Sequence, residues 1–194
     1  QTTDVFEKIV SELPPIAGIF HAAAVLKDGP MNVLSTDMIE ESFQAKAIGG
    51  FNLHKISQEL ELPLDHLVFF SSISGMLGNA GQANYAAANV YLDALADYRR
   101  HLGLPGTSIA WGAIGEVGMI SRDPQVLQML QRKGIIPLRL TDAIESLQTI
   151  LSSGHCHMGC FDVEWDQWQK TMSSLSEFDP VSGLIFVDAD GLSE

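Results

Sequence analysis

The chain has 194 residues, 46% hydrophobic and 18% charged, which supplies one substantial core and excludes a disordered segment as its main part. A formal net charge of -13 excludes a nucleic-acid partner, because a phosphate backbone is neutralised by clustered Lys and Arg that this chain lacks. No apolar run approaches the ~20 residues of a membrane span, and "QTTDVFEKIVSELPP" is charged and amphipathic where a signal peptide would be apolar, so a cytoplasmic protein with no membrane partner is expected.

The segment "DVFEKIVSEL", residues 4–13, sets Val5, Ile9, Val10 and Leu13 on one helical face, and Pro14 and Pro15 end it. "IAGIFHAAA", Ile16 to Ala24, is apolar on both faces and predicts a central parallel strand running into a small-residue loop. A long helix then spans "STDMIEESFQAKAIGGFNLHKISQEL", capped by Ser35 or Thr36. "DHLVFFSSIS" reads as a second buried strand, "NYAAANVYLDALADYRRHLGL" as a second long helix stopped at Gly103, and "GTSIAWGAIG" as a third strand.

Beyond Gly115, the amphipathic stretch from Glu116 to Ile135 predicts a loop and a helix over the sheet. A further helix, "TDAIESLQTILSSG", has Asp142 near its start, and "HMGCFDVEWDQWQK" predicts a last strand with a turn. Residues 172–194 are polar and lack helical periodicity, so they read as a linker or tail, leaving residues 1–171 as the folded unit. Strands alternating with long helices predict an α/β fold: a Rossmann-like parallel sheet with helices on both faces. The Gly-x-Gly-x-x-Gly turn of a dinucleotide-binding half is absent and the first residue is not Met, so the sheet is expected to be incomplete, its N-terminal strands lying elsewhere.

Ligands of an open parallel sheet gather beyond the carboxyl ends of its strands, where Ser71, Ser72 and Ser74 follow "LVFF". Tyr85 and Asn89 lie one turn apart on the next helix and share a face. Taken alone, a tyrosine heading an Ala-rich helix is a packing residue as readily as an acid. Ser71 reads as a strand-end hydroxyl on its own backbone, and Tyr91 and Tyr98 as helix packing or surface residues.

Ser72 stands thirteen residues before Tyr85, Asn89 four after it, and Lys46 on the preceding helix. This set resembles the ketoreductase domain of modular polyketide synthases, within the short-chain dehydrogenase/reductase superfamily. In ordinary members of the superfamily the lysine follows the tyrosine by four and the asparagine sits on the earlier helix; here the two are exchanged, as in the synthase ketoreductases. "GIFHAAAVLKDGPM", "FQAKAIGGFNLHKI", "SIAWGAIGEVGM" and "FDVEWDQW" extend the resemblance over Ile16 to Trp168.

The resemblance implies reduction of the β-keto group of an acyl thioester on the phosphopantetheine of an acyl carrier protein, with NADPH as hydride donor. It implies catalytic roles for Tyr85 as proton donor, Ser72 on the substrate oxygen, Lys46 on the nicotinamide ribose, and Asn89 orienting Lys46, directly or through water. Physically, an ammonium close to Tyr85 is expected to lower its phenol, and a Ser72 hydroxyl would stabilise the developing oxyanion. His21, Ala22, Ala23 and Gly112, beside Lys46 and Tyr85, are the expected cofactor contacts, and Asp28, Leu77 and Gln82 the residues of substrate placement and stereocontrol. Asp28 in "VLKD" matches the last position of the Leu-Asp-Asp loop of B-type ketoreductases, and Leu77 stands where A-type enzymes carry Trp, so B-type stereochemistry is expected despite Lys27. The Glu116–Ile135 segment is by resemblance a lid over the substrate groove. Expected partners are the carrier protein, the remaining half of the same domain and other synthase domains.

Two other readings are a free-standing short-chain reductase and a non-catalytic structural module of a synthase. "HCHMGC" offers His155, Cys156, His157 and Cys160, but successive strand residues point to opposite faces and cannot converge on zinc, so no metal is expected.

Overall fold

The computed structural model describes residues 2–116 and 124–171. In chain order its elements are α1 (Thr2–Glu12), β1 (Gly18–His21), α2 (Thr36–Phe43), a π-helical turn (Gln44–Ile48), α3 (Gly49–Glu59), β2 (His66–Ser72), α4 (Ile73–Leu77) and α5 (Ala83–His101). They continue as β3 (Thr107–Trp111), α6 (Pro124–Arg132), β4 (Ile135–Ile136), α7 (Leu140–Ser153), β5 (His157–Cys160), β6 (Asp162–Val163) and α8 (Trp165–Thr171).

The sheet order is β1-β2-β3-β5, all parallel, as the alternation of strands and helices predicts. Alternate residues of β2 serve opposite layers. Leu67 and Phe69 pack with Leu92, Leu95 and Ala96 of α5, whereas Val68, with Ile109 and Trp111 of β3, packs with Ala143 and Ile150 of α7. Helices therefore cover both faces. A third cluster of Ile73, Leu77, Val163 and Trp168 ties α4 to the last two elements.

Four sequence expectations change. Among the described residues β1 is the sheet edge, paired only with β2 and leaving Phe20 50% exposed, where apolarity on both faces suggested a central strand. The long helix expected from Ser35 is broken by the π turn, where the Gly49 amide donates to the Gln44 carbonyl five residues back. Residues 157–163 form two strands rather than one. β5 joins the main sheet, and β6 pairs antiparallel with β4. The expected turn after them is the helix α8. The first part of the lid segment and the 172–194 tail lie outside the described residues; α6 and β4 are the described part of the former.

Helix stops follow the sequence. Gly103 (φ 73°) and Gly154 (φ 74°) take the left-handed conformation that ends α5 and α7. Near its end α5 buries Arg99, 1% exposed, which donates to the Pro105 carbonyl at 2.7 Å and the Ser57 hydroxyl at 2.9 Å and lies 3.0 Å from His54 Nδ1. A guanidinium only donates, so His54 Nδ1 accepts and the ring is neutral.

Burial, then Arg99, holds the His54 pKa below its usual 6.5, and burial lowers His21 likewise. A depressed base leaves the unfolded chain binding more protons, so stability is full above about pH 6.5 and falls as acid approaches the folded pKa. Denaturant midpoints of the full chain are expected to drop from pH 7 to pH 5. In H54N, whose amide oxygen stands at the place of Nδ1 and can accept from Arg99, the drop should shrink; an unchanged drop would move its cause elsewhere.

Candidate active site

The carboxyl end of β2 carries the candidate chemistry. Ser72 is its last residue and the N-cap of α4, its Oγ accepting from the Ser74 amide at 3.2 Å and the Ser74 hydroxyl at 3.0 Å. With its lone pairs so engaged, the Ser72 O–H is left to donate, and the Tyr85 phenol is its partner. Ser74 thus orients Ser72, a role the sequence signalled only by placing both at the strand end.

Lys46 occupies the centre of the π turn and is 2% exposed. Its Nζ donates to the Phe70 carbonyl of β2 at 2.6 Å and lies 5.3 Å from the centroid of the Tyr85 ring. Two glycines let this helix come so close. A Cβ on Gly50 would stand 2.6 Å from Leu92 Cδ2, and one on Gly49 3.0 Å from His21 Cε1. Burial lowers Lys46 from 10.5 to about 8, with Asp93 opposing the shift. That carboxylate accepts from Ser108 at 2.5 Å and lies 3.4 Å from His157 Nε2.

Tyr85 stands in the first turn of α5, half-buried. Its phenol is raised above 10, mainly by burial; Asn89 and Ser72 pull it down through hydrogen bonds and the Asp28 charge adds to the rise. The expected lowering by Lys46 is therefore reversed here. The ammonium faces the ring and is spent on Phe70, leaving desolvation in control. Asn89, fully buried, donates from Nδ2 to the Tyr85 carbonyl at 2.7 Å, while its Oδ1 has no partner. Among the described residues Lys46 is oriented by Phe70 and not directly by Asn89.

The remaining site residues divide. Ala22 and Ala23 are exposed just beyond β1, at the same edge of the sheet. His21 turns inward instead, 7% exposed, with Nε2 2.9 Å from the Lys46 carbonyl and its ring edge-on to Phe69, so it buttresses Lys46 and is not part of an open loop. Gly112 is a packing glycine, since a Cβ there would lie 2.7 Å from Phe161 Cβ. Leu77 is 6% exposed in the cluster with Val163 and Trp168.

Asp28 and Gln82 do meet: Gln82 Nε2 donates to Asp28 Oδ2 at 2.7 Å. Asn84 reinforces the junction from the residue before Tyr85, its Nδ2 lying 2.9 Å from the Lys27 carbonyl, 3.0 Å from Ser42 Oγ and 3.3 Å from the Met38 carbonyl. Nothing but its place next to the tyrosine marked it in the sequence. Among the described residues no three His, Cys, Asp or Glu side chains group as metal ligands, and no helix is long and apolar enough to cross a membrane.

A family profile described as the KR domain matches residues 1–116. The chain is 40% identical over 169 residues to the polyketide synthase GfsA of Streptomyces halstedii, covering 87% of this chain and 2% of that protein. It is 45% identical over 113 residues to the low-reducing polyketide synthase drtA of Aspergillus calidoustus, covering 58% and 5%. Among solved structures, A-type ketoreductases from a modular polyketide synthase superpose with a TM-score of 0.82 at 34% identity, covering 89% of this chain and 36% of theirs. The first ketoreductase of the tylosin synthase superposes with a TM-score of 0.77 at 35% identity, covering 89% and 37%. The chain thus spans a small fraction of these synthases and little more than a third of the solved ketoreductase chains.

Proposed function

The chain belongs to the ketoreductase domain family of polyketide synthases, and from that premise we propose that it reduces the β-keto group of an acyl thioester carried on an acyl carrier protein, using NADPH, with B-type stereochemistry. The observation that carries this reading is the meeting of Ser72, Tyr85, Asn89 and Lys46 at the carboxyl end of β2. Tyr85 is the acid. Its raised phenol is protonated at neutral pH and ready to give that proton to a ketone oxygen as charge develops there. The Ser72 hydroxyl, held by Ser74 beside the Tyr85 phenol, donates to the same oxygen.

NADPH, when bound, supplies the hydride. Lys46, with one of its three donors on Phe70, fits the nicotinamide side, and the exposed turn at Ala22 and Ala23 fits close approach of a cofactor. His21 and Gly112 support that wall from behind. Among the described residues the outer edge of β1 is unpaired and its Phe20 exposed, which favours further strands there, and these we assign to the nucleotide-binding half of the same domain. On this reading residues 1–171 are the catalytic part and residues 172–194 the link to a following synthase domain.

The test is NADPH oxidation by the full-length polypeptide with a β-ketoacyl pantetheine thioester, and chiral analysis of the alcohol. Turnover to the D-alcohol is expected, falling about 10²-fold in S72A. An L-alcohol would remove the B-type assignment and leave the reductase. A folded protein that binds NADPH without turnover would make the chain a scaffold.

A further inference from the structure

Asp28 is the end of a longer chain of hydrogen bonds. Lys133, just beyond α6, donates from Nζ to Asn79 Oδ1 at 2.6 Å; Asn79 Nδ2 donates to Gln82 Oε1 at 2.8 Å; Gln82 Nε2 donates to Asp28 Oδ2 at 2.7 Å. The direction of this relay is forced from both ends. An ammonium can only donate, so the Asn79 oxygen must face Lys133 and its amide nitrogen must face Gln82. A carboxylate can only accept, so the Gln82 nitrogen must face Asp28. Neither amide is free to flip while both charges are in place.

The far end is anchored. Gly134, next to Lys133, has φ 73° and would put a Cβ 2.7 Å from the Glu164 carbonyl, and the Glu164 amide donates back to the Gly134 carbonyl at 2.7 Å. Gln167 and Thr171 of α8 both donate to the Arg132 carbonyl. Lys133 therefore hangs from a turn stapled to the last elements of the fold. At the near end a backbone bond from Gly29 to Gly81, 2.8 Å, lies beside the Gln82–Asp28 pair and joins the same two loops.

We propose that Asn79 and Lys133 are positioning residues, which through Gln82 hold the Asp28 loop against the segment leading into Tyr85 and so set how the acyl thioester is presented to the tyrosine. The placement of substrate rests on the reductase reading above; the coupling of the two loops does not. Nothing in the local sequence links a lysine at 133 to an aspartate at 28. The link exists only in the folded chain.

The variant N79D separates polarity from size. Its carboxylate still accepts from Lys133 but cannot donate to Gln82, which must then turn its nitrogen toward position 79 and its oxygen toward the Asp28 carboxylate. Adding D28N supplies a donor for that oxygen and rebuilds the relay with its last two bonds reversed. Amide hydrogen exchange at Gly29, read in the full-length polypeptide, is expected to quicken about tenfold in N79D and in K133M, and to return to within about threefold of the parent in N79D with D28N. In turnover, N79D and K133M should erode the diastereomer ratio of the alcohol about tenfold and raise KM, with kcat within about threefold. Parent-like exchange and product ratio in N79D and K133M would overturn the proposal, as would a double variant in which the two effects add instead of cancelling. If the parent reduces nothing, the exchange result still decides the relay and only the reductase reading falls.

Discussion

Replacing Tyr85 with phenylalanine is expected to lower kcat for reduction of a β-ketoacyl thioester about 10³-fold in the full-length polypeptide, with KM within about threefold. The substitution is narrow. Phenylalanine keeps the ring that lies under the Lys46 ammonium, 5.3 Å from its centroid, and keeps the backbone carbonyl that accepts from Asn89 Nδ2. Only the phenolic oxygen and its proton leave. What remains at the substrate oxygen is the Ser72 hydroxyl, which stabilises charge and supplies no proton of comparable acidity. Y85F is also expected to fold, at a cost of no more than about 1 kcal/mol for the hydrogen bonds that the phenol shares with Ser72 and Asn89. Steady-state kinetics beside a thermal melt decide it. Turnover within tenfold of the parent, in a protein that melts normally, would assign Tyr85 to packing and send the proton to another donor.

The parts of this site that the sequence made legible are those specified by local chemistry. Ser35 caps α2 by accepting from the Met38 amide at 3.3 Å, Gly103 and Gly154 end helices at positive φ, and the uninterrupted apolar run of β2 is the mark of a strand buried on both faces. Ser72, Tyr85, Asn89 and Lys46 were grouped through the resemblance to synthase ketoreductases, which their residue types and spacing carry. What stayed hidden is what depends on partners far along the chain. The π turn leaves no mark in an apolar periodicity, yet it sets Lys46 against Phe70 and Tyr85. The acceptor of the lysine is a backbone carbonyl, which no side-chain pattern can announce. Strand β4 has two residues and gains its meaning only from β6, more than twenty residues later. His21 and Gly112 suited a cofactor loop by position, and only three-dimensional neighbours, the Lys46 carbonyl and Phe161, turned them into supports.

Lys46→Met should make the protein more stable and nearly inactive. At 2% exposure the ammonium has lost almost all its water, and one hydrogen bond to Phe70 with a ring face and a more distant Asp93 only partly replace it, so its pKa drops from 10.5 to about 8. That shift corresponds to a cost of about 3 kcal/mol for keeping the charge in the fold at pH 7. Because the folded pKa is the lower one, the unfolded chain binds more protons between pH 8 and 10.5, and this group makes stability rise across that window. Methionine has a similar reach and no charge. After about 1 kcal/mol for the lost hydrogen bond, K46M is expected to gain about 2 kcal/mol at pH 7, or about 5 °C in Tm, and to lose the rise above pH 8. Reduction should fall at least about 10²-fold, since the donor proposed for the nicotinamide side and the charge beside the tyrosine leave together. Melts from pH 7 to 10 together with turnover at pH 7 test both halves. A lower Tm would mean that Phe70, Tyr85 and Asp93 more than repay desolvation, and retained turnover would remove Lys46 from the site. The expected pairing, stability gained and catalysis lost, is the signature of a charge held in place for chemistry against the preference of the fold.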